Sequence, residues 1–349
     1  MIQDIRVFAS ALGVRRSCYC ICACRDKHSP CALGLTAMFS INYIAAVLAL
    51  CCFKMENRLV VPGPASTDLA ERVAEGLDAE LVGVECRIFP DGESKITLKE
   101  KVGNKQVILV QSTYPPVDQH LMQAFLLAHR LSEEGAEVHM VVPYLAYSRQ
   151  DKEFLGGEIV SMRVIARLFR SVGVRRFVTV DIHSVEGLSN FSIPAYSVSA
   201  VPLLAEYVRE VVKPVNPVAV SPDFGGSSRV EAFSKILGIE HFILEKSRDR
   251  VTGEVSIKKA EMNIEGRDAV IVDDIISTGG SVQRAAAQLK ASGARRVIAA
   301  CTHPVLIGDA VKKMSEAGVD EVIGTNTIPG SVSKVDVSQA ISEHFKTLG

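Results

Sequence analysis

Val270–Ser281 reads VIVDDIISTGGS and concentrates the strongest candidate chemistry of the 349-residue chain. An apolar, β-branched run delivers Asp273 and Asp274 to the C-terminal end of a strand, where ligands bind in open α/β sheets. Ser277, Thr278, Gly279, Gly280 and Ser281 follow and open a helix. Hydroxyls and bare backbone N–H groups at a helix N-terminus make an anion site suited to a phosphate monoester. The adjacent carboxylates can accept hydrogen bonds from vicinal sugar hydroxyls. A helix capped after a buried strand needs no such pair of acids, so the two acids point to a ligand.

Further chemistry-bearing clusters occur in a fixed order along the chain. They are Phe89-Pro90-Asp91-Gly92-Glu93, Arg149-Gln150-Asp151-Lys152, Asp181-Ile182-His183, Ser221-Pro222-Asp223-Phe224-Gly225-Gly226 and Lys246-Ser247-Arg248. Arg149 and Gln150 carry planar, multidentate donors of the kind that hold phosphate. Gly225 and Gly226 let backbone N–H groups approach a pyrophosphate as a nest. Taken singly, Asp91-Gly92 is a plain turn, and the charged run around Lys246 is a solvated face. No GxxxxGK[ST] loop and no GxGxxG occurs, so a nucleotide would have to be held by another route.

Positioning these groups requires alternating strands and helices. Val107–Val110, Val138–Val142, Phe177–Val180, Pro217–Val220, Ala269–Val272 and Val297–Ala300 have the composition of strands buried on both faces. Leu121–Glu134, Ile159–Ser171, Pro202–Val212 and Val282–Ser292 carry helical periodicity, and Gly135, Gly173 and Gly293 stand where helices end. The alternation predicts parallel sheets flanked by helices. Two internal echoes predict a duplicated unit. One aligns Ala166–His183 with Ala286–His303 at an offset of 120 residues, and the other pairs Val107–Thr113 with Val270–Thr278. In the second, Gln111-Ser112 stand where the acids stand later, so the first copy is expected to have lost sugar binding and kept the scaffold. The expected boundary lies near Ala200, dividing 55–200 from 201–349.

Together the clusters resemble the ribose-phosphate pyrophosphokinase (phosphoribosyl pyrophosphate synthetase) family, and its archaeal members most, over essentially Met55 to Gly349. The acid–Ser-Thr-Gly-Gly loop by itself resembles the ribose 5-phosphate loop of type I phosphoribosyltransferases. The resemblance implies two tandem type I phosphoribosyltransferase-like domains of α/β class, each a mainly parallel sheet flanked by helices. It implies transfer of the pyrophosphoryl group of ATP to ribose 5-phosphate, yielding phosphoribosyl pyrophosphate and AMP for nucleotide biosynthesis. Ribose 5-phosphate would be held by Asp273, Asp274, Ser277, Thr278, Gly279, Gly280 and Ser281, with Arg248. ATP would be held by Phe89, Asp91, Gly92, Glu93, Arg149, Gln150, Asp151, Lys152 and His183. Asp223, Gly225 and Gly226 would form the pyrophosphate loop, and Lys246 and Arg248 the catalytic pair on a mobile flap. His183 and Asp223 would contact Mg²⁺. The Phe89–Glu93 loop would enter a neighbouring subunit's site, which implies a homo-oligomer. Many family members carry an acid where Ser277 stands, so a general base at that position does not carry over. A base-joining phosphoribosyltransferase would leave the Arg149–Lys152, Phe89–Glu93 and Lys246/Arg248 clusters unused. A non-catalytic regulatory homologue would have no need of intact Asp273, Asp274, Lys246 and Arg248.

Composition narrows the setting. The chain has 39 basic and 40 acidic side chains, which argues against a nucleic-acid binder relying on a basic surface. The first 54 residues differ from the rest: they hold seven of the nine cysteines, six of the basic and two of the acidic side chains. Residues 32–53 form an uncharged run long enough to span a bilayer. One reading is a membrane anchor; the preferred expectation is an extension outside the working protein, with the start at Met55. From Met55 onward only Cys86 and Cys301 remain, as expected of a cytoplasmic protein whose thiols stay reduced.

Overall fold

The computed structural model describes residues 58–244, 246–248, 255–257 and 263–348. The expectations about residues 1–54 and a start at Met55 lie outside the described residues. So do the side chains of Lys246 and Arg248.

Residues 58–198 build a six-stranded sheet. Its strands are β1 (Arg58–Pro62), β2 (Glu80–Leu81), β5 (Gln106–Val110), β6 (Glu137–Val142), β7 (Val174–Val180) and β8 (Ala195–Val198), in the spatial order β2-β1-β5-β6-β7-β8. All pairings are parallel. Between β2 and β5 the chain makes a separate antiparallel hairpin, β3 (Val84–Ile88) and β4 (Ser94–Leu98). Residues alternate between faces with period two. Leu59, Val61, Val107, Leu109 and Met140 pack into one core, and Val60, Ile108, Val110, Val141 and Val178 into the other. Helix α1 (Thr67–Leu77) covers the second face; α2 (Val117–Glu133) and α3 (Ser161–Ser171) cover the first.

The second sheet repeats the plan. β9 (Val218–Ser221), β10 (His241–Ile243), β13 (Asp268–Ile276), β14 (Arg296–Pro304), β15 (Glu321–Thr325) and β16 (Ser333–Val335) stand in the order β10-β9-β13-β14-β15-β16. They too are all parallel. A second antiparallel hairpin, β11 (Lys246–Arg248) with β12 (Val255–Ile257), is inserted at the same topological point as β3–β4. Helices α4 (Val201–Tyr207), α5 (Ser227–Leu237), α6 (Gly280–Ala291) and α7 (Ala310–Glu316) flank this sheet. All six strands and four helices expected from periodicity form, with their ends shifted by a few residues, except that the one expected over Pro202–Val212 is α-helical only to Tyr207 and ends in a π-helical turn, Val208–Val212.

The two echoes fare differently. Val107–Thr113 and Val270–Thr278 fall on β5 and β13, which occupy the same place in the two sheets. The echo at offset 120 aligns α3–β7 with α6–β14, and β7 is fifth in its sheet whereas β14 is fourth. That likeness is one of helix–Gly–strand chemistry, which recurs in any α/β unit, and not of equivalent position. The last helix, α8 (Ser338–Thr347), crosses back to the first half: Val337, Ile341 and Phe345 join the core beneath α1.

Polar contacts between the halves lie along the C-terminal strand ends. Thr302 Oγ1 donates to Asp181 Oδ2 at 2.6 Å, and Ser112 Oγ donates to the Thr327 carbonyl at 2.7 Å. His303, almost wholly buried, places Nε2 3.0 Å from the Val180 carbonyl and Nδ1 2.9 Å from Thr327 Oγ1. No helix among the described residues is long and apolar enough to cross a membrane.

Candidate active site

Strand β13 runs nine residues, so its last turn of backbone extends past its shorter neighbour β9 and carries Asp273 and Asp274 to the rim of the sheet. The chain then turns sharply into α6. Gly279 sits at φ +76°, where an added Cβ would lie 3.0 Å from Met314 Cγ. Only glycine takes this left-handed position without strain. The turn points the first N–H groups of α6 into a cavity of about 450 Å³.

That cavity gathers most of the residues singled out from the sequence. The second half supplies Asp273, Asp274 and the whole Ser277–Ser281 loop, together with Asp223, Gly225 and Gly226 from the turn after β9. Asp223 Oδ1 accepts from the Gly225 N–H at 3.1 Å and shapes that turn. The first half supplies Arg149 and His183. Two arginines absent from the sequence reading also line it, Arg229 and Arg284. Arg229 lies in the first turn of α5, directly after Gly225-Gly226-Ser227-Ser228; a cation one helical turn beyond a nest of N–H groups was the available signal. Arg284, one turn into α6, donates from Nη2 to Ser281 Oγ at 3.5 Å.

Electrostatics separate the two acids. Asp274 is buried, and burial alone would raise its pKa. The hydrogen bond from His183 Nδ1 to Oδ2 at 2.6 Å and the Arg229 guanidinium at 3.6 Å overcome this and hold it well below the usual carboxylate range. Asp273 is pushed up to about 8, by burial first and then by its hydrogen bond and charge interaction with Asp274. Arg229, 3.8 Å from Asp273 Oδ1, only partly offsets this. One carboxylate is thus ionised near neutrality while its neighbour stays close to titration, the expected outcome for adjacent buried acids.

Among the described residues, Phe89–Glu93 and Gln150–Lys152 do not line this cavity. Phe89 to Glu93 form the tip of the β3–β4 hairpin: Phe89 N–H donates to the Glu93 carbonyl at 2.8 Å, and Gly92 takes φ +93°. Asp91, Gly92 and Glu93 are exposed, and the Arg87 guanidinium lies 5.2 Å from the centre of the Phe89 ring. Gln150 is exposed and accepts from Ser161 Oγ. The Asp151 carbonyl accepts from Asn190 Nδ2, and the Lys152 ammonium lies 5.4 Å from the centre of the Phe154 ring. Lys246 and Arg248 are on β11, paired with Ile257 and Val255 of β12.

The matching strand end of the first half carries Gln111 and Ser112. Gln111 is fully buried; its Oε1 accepts from Ala65 N–H at 3.0 Å and lies where any side chain on Gly63 would have to go. The strand end that matches Asp273-Asp274 thus carries an amide bonded to the loop after β1, and Ser112 bonds across to Thr327 of the other half.

A duplicated α/β plan, with the acid–Ser-Thr-Gly-Gly loop of one half facing Arg149 and His183 of the other, is that of an enzyme of the type I phosphoribosyltransferase-like class. Residues 59–173 match the family described as the N-terminal domain of ribose phosphate pyrophosphokinase, and residues 246–347 match the phosphoribosyl synthetase-associated domain. The ribose-phosphate pyrophosphokinase of Saccharolobus solfataricus is 39% identical over 289 residues, covering 81% of this chain and 99% of its own. That of Methanothermobacter thermautotrophicus is 39% identical over 290 residues, covering 82% of this chain and 100% of its own. The crystal structure of phosphoribosylpyrophosphate synthetase from Mycobacterium smegmatis superposes with a TM-score of 0.75 at 28% identity, covering 84% of this chain and 99% of that one. The chain belongs to the ribose-phosphate pyrophosphokinase family.

Proposed function

We propose that the protein transfers the β,γ-pyrophosphoryl group of ATP to the 1-hydroxyl of ribose 5-phosphate, releasing AMP. The observation that carries this reading is the single cavity in which the acid–Ser-Thr-Gly-Gly loop of one half faces Arg149 and His183 of the other. In this reading the N–H groups at the start of α6 and the Ser277, Thr278 and Ser281 hydroxyls hold the 5-phosphate. Asp273 and Asp274 accept from the ring hydroxyls and so fix the rotation of the sugar, leaving its 1-hydroxyl aimed across the cavity. Arg149 and His183 hold the triphosphate from the opposite wall, and the Gly225-Gly226 turn offers N–H groups to the migrating pyrophosphate. In-line attack on the β-phosphorus needs little covalent help from the protein, so rate comes from alignment and charge neutralisation. Lys246 and Arg248 supply that neutralisation when the β11–β12 hairpin closes over the phosphates.

Mg²⁺ belongs to the same reading. Among the described residues no three His, Cys, Asp or Glu side chains cluster into a metal cage. Mg²⁺ keeps several waters and takes one or two protein groups plus substrate phosphates. Asp223 and His183 face the cavity from opposite halves and are the groups that would hold it. When bound, it would neutralise phosphate charge and favour departure of AMP.

The exposed Phe89–Glu93 tip is read as reaching the adenine of a neighbouring subunit, because it lies outside the cavity of its own chain and presents Asp91 and Glu93 to solvent. The enzyme would then work as a homo-oligomer. Residues 55–200 and 201–349 are read as two copies of one unit, in the cytoplasm, where Cys86 and Cys301 stay free thiols. The test is turnover with ATP, ribose 5-phosphate and Mg²⁺ and no base. AMP formed only when ribose 5-phosphate is present supports the reading. A requirement for a purine or pyrimidine base would point to a base phosphoribosyltransferase, and ATP binding without any product would point to a regulatory homologue.

A further inference from the structure

The hydrogen bond between His183 and Asp274 joins a residue assigned to the nucleotide side with one assigned to the sugar side, 91 positions apart in the chain. Its geometry determines which face of the imidazole is on offer. Nδ1 lies 2.6 Å from Asp274 Oδ2. A carboxylate oxygen only accepts, so Nδ1 carries a proton, and in the neutral ring the lone pair is left on Nε2. The Asp274 side chain is 7% exposed and the His183 side chain 44% exposed, so the bonded edge is enclosed while the ring remains open to the cavity.

The carboxylate is itself held by its own half. Arg229 Nη2 stands 3.6 Å from the same Oδ2 that takes the histidine. An orientation fixed by β13 and α5 is thereby imposed on a side chain at the end of β7.

We propose that Asp274 is a positioning residue for His183: by engaging Nδ1 it selects the tautomer and aims Nε2 at the divalent cation or one of its waters. This rests on the reading of His183 as a metal-side group, and it goes further by giving one of the two sugar-loop acids a second task. The sugar-loop acid and the nucleotide-side imidazole then share one hydrogen bond, so a ligand that displaces Asp274 also releases the ring. Carboxylates that orient a metal-facing imidazole through its other nitrogen typically change metal affinity 10–100-fold when removed.

The test reads the ring directly. Nitrogen-15 spectra of histidine-labelled protein, free of metal and substrates and at mildly alkaline pH, report which nitrogen of His183 carries the proton. His183→Ala identifies the resonance. The expected result is an Nδ1–H ring in the unaltered protein and a shift toward Nε2–H in Asp274→Ala. With Mn²⁺ alone as probe, Asp274→Ala should bind about 10–100-fold more weakly. Asp274→Asn keeps an accepting oxygen and loses the charge, so it should retain the Nδ1–H ring and most of the affinity. An Nε2–H ring in the unaltered protein overturns the proposal, and that measurement needs no variant to fold. Asn behaving like Ala, or Ala binding Mn²⁺ within about twofold of the parent, overturns it as well. None of these readouts uses turnover, so failure of the pyrophosphoryl-transfer reading would leave them standing.

Discussion

Arg229 is the cation on which the charge balance of the site depends, and replacing it by methionine removes the charge while keeping most of the volume. Its guanidinium lies 3.6 Å from Asp274 and 3.8 Å from Asp273, with the arginine side chain 14% exposed. At that separation and an effective dielectric near 20, each contact amounts to about 4 kcal/mol of gross attraction. Near neutrality Asp273, pushed up to about 8, is largely protonated, so the contact with Asp274 dominates. Breaking a buried pair on one side costs about 3–5 kcal/mol, and the remaining hydrogen bond from His183 favours the lower end. A loss of about 3 kcal/mol in a protein of this size corresponds to a fall in Tm of about 5 °C. Scanning calorimetry of the ligand-free protein reads this. The double variant Arg229→Met/Asp274→Asn, which removes both charges of this pair, should recover part of the loss. A Tm within about 1 °C of the parent, or a double variant no more stable than the single, would refute the reasoning.

The elevated pKa of Asp273 gives two pH dependences of opposite sign. The folded protein binds a proton that the unfolded chain releases near 3.8, so this group's contribution to stability is complete below that value and is lost as pH rises through about 8. Ribose 5-phosphate needs the ionised acceptor, so its affinity, measured by calorimetric titration above neutrality, should rise through about pH 8; Asp273→Asn should flatten that rise. Gly279→Ala forces a side chain into φ +76° and to within 3.0 Å of Met314. It should cost about 1–2 kcal/mol and weaken ribose 5-phosphate more than ATP, and equal loss for both substrates would contradict the placement of that turn. Lys246→Ala should lower kcat far more than it weakens ATP, whereas equal losses would show that the hairpin does not act in the transition state.

The second-half loop was legible because its chemistry is local. A buried strand, two acids and a helix-opening Ser-Thr-Gly-Gly run are contiguous, and short-range backbone rules suffice to place Asp273 beside the N-terminus of α6. The difference between the two copies was legible for the same reason, since Gln111-Ser112 occupy the matching strand end. What sequence alone did not reveal depends on distant partners. His183 was assigned to metal and nucleotide; its hydrogen bond to Asp274 arises only because the loop after β7 and the C-terminal part of β13 come together between the halves. Arg229 sat beside a recognised glycine turn and was passed over, because a helix-borne arginine is ordinarily solvated. The echo at offset 120 misaligned the two sheets by one strand, since helix–Gly–strand units look alike wherever they occur. Helix α8 returns to the first core through Ile341 and Phe345, a choice made by complementary apolar surfaces and not by adjacency in the chain.

The central claim is the transfer of an intact pyrophosphoryl group, and the phosphorus-31 spectrum of the product mixture tests it most directly. With ATP, ribose 5-phosphate and Mg²⁺, the account predicts AMP and a ribose carrying a 1-diphosphate in equal amounts. Appearance of ADP with a ribose bisphosphate would mean attack at the γ-phosphorus and would contradict it.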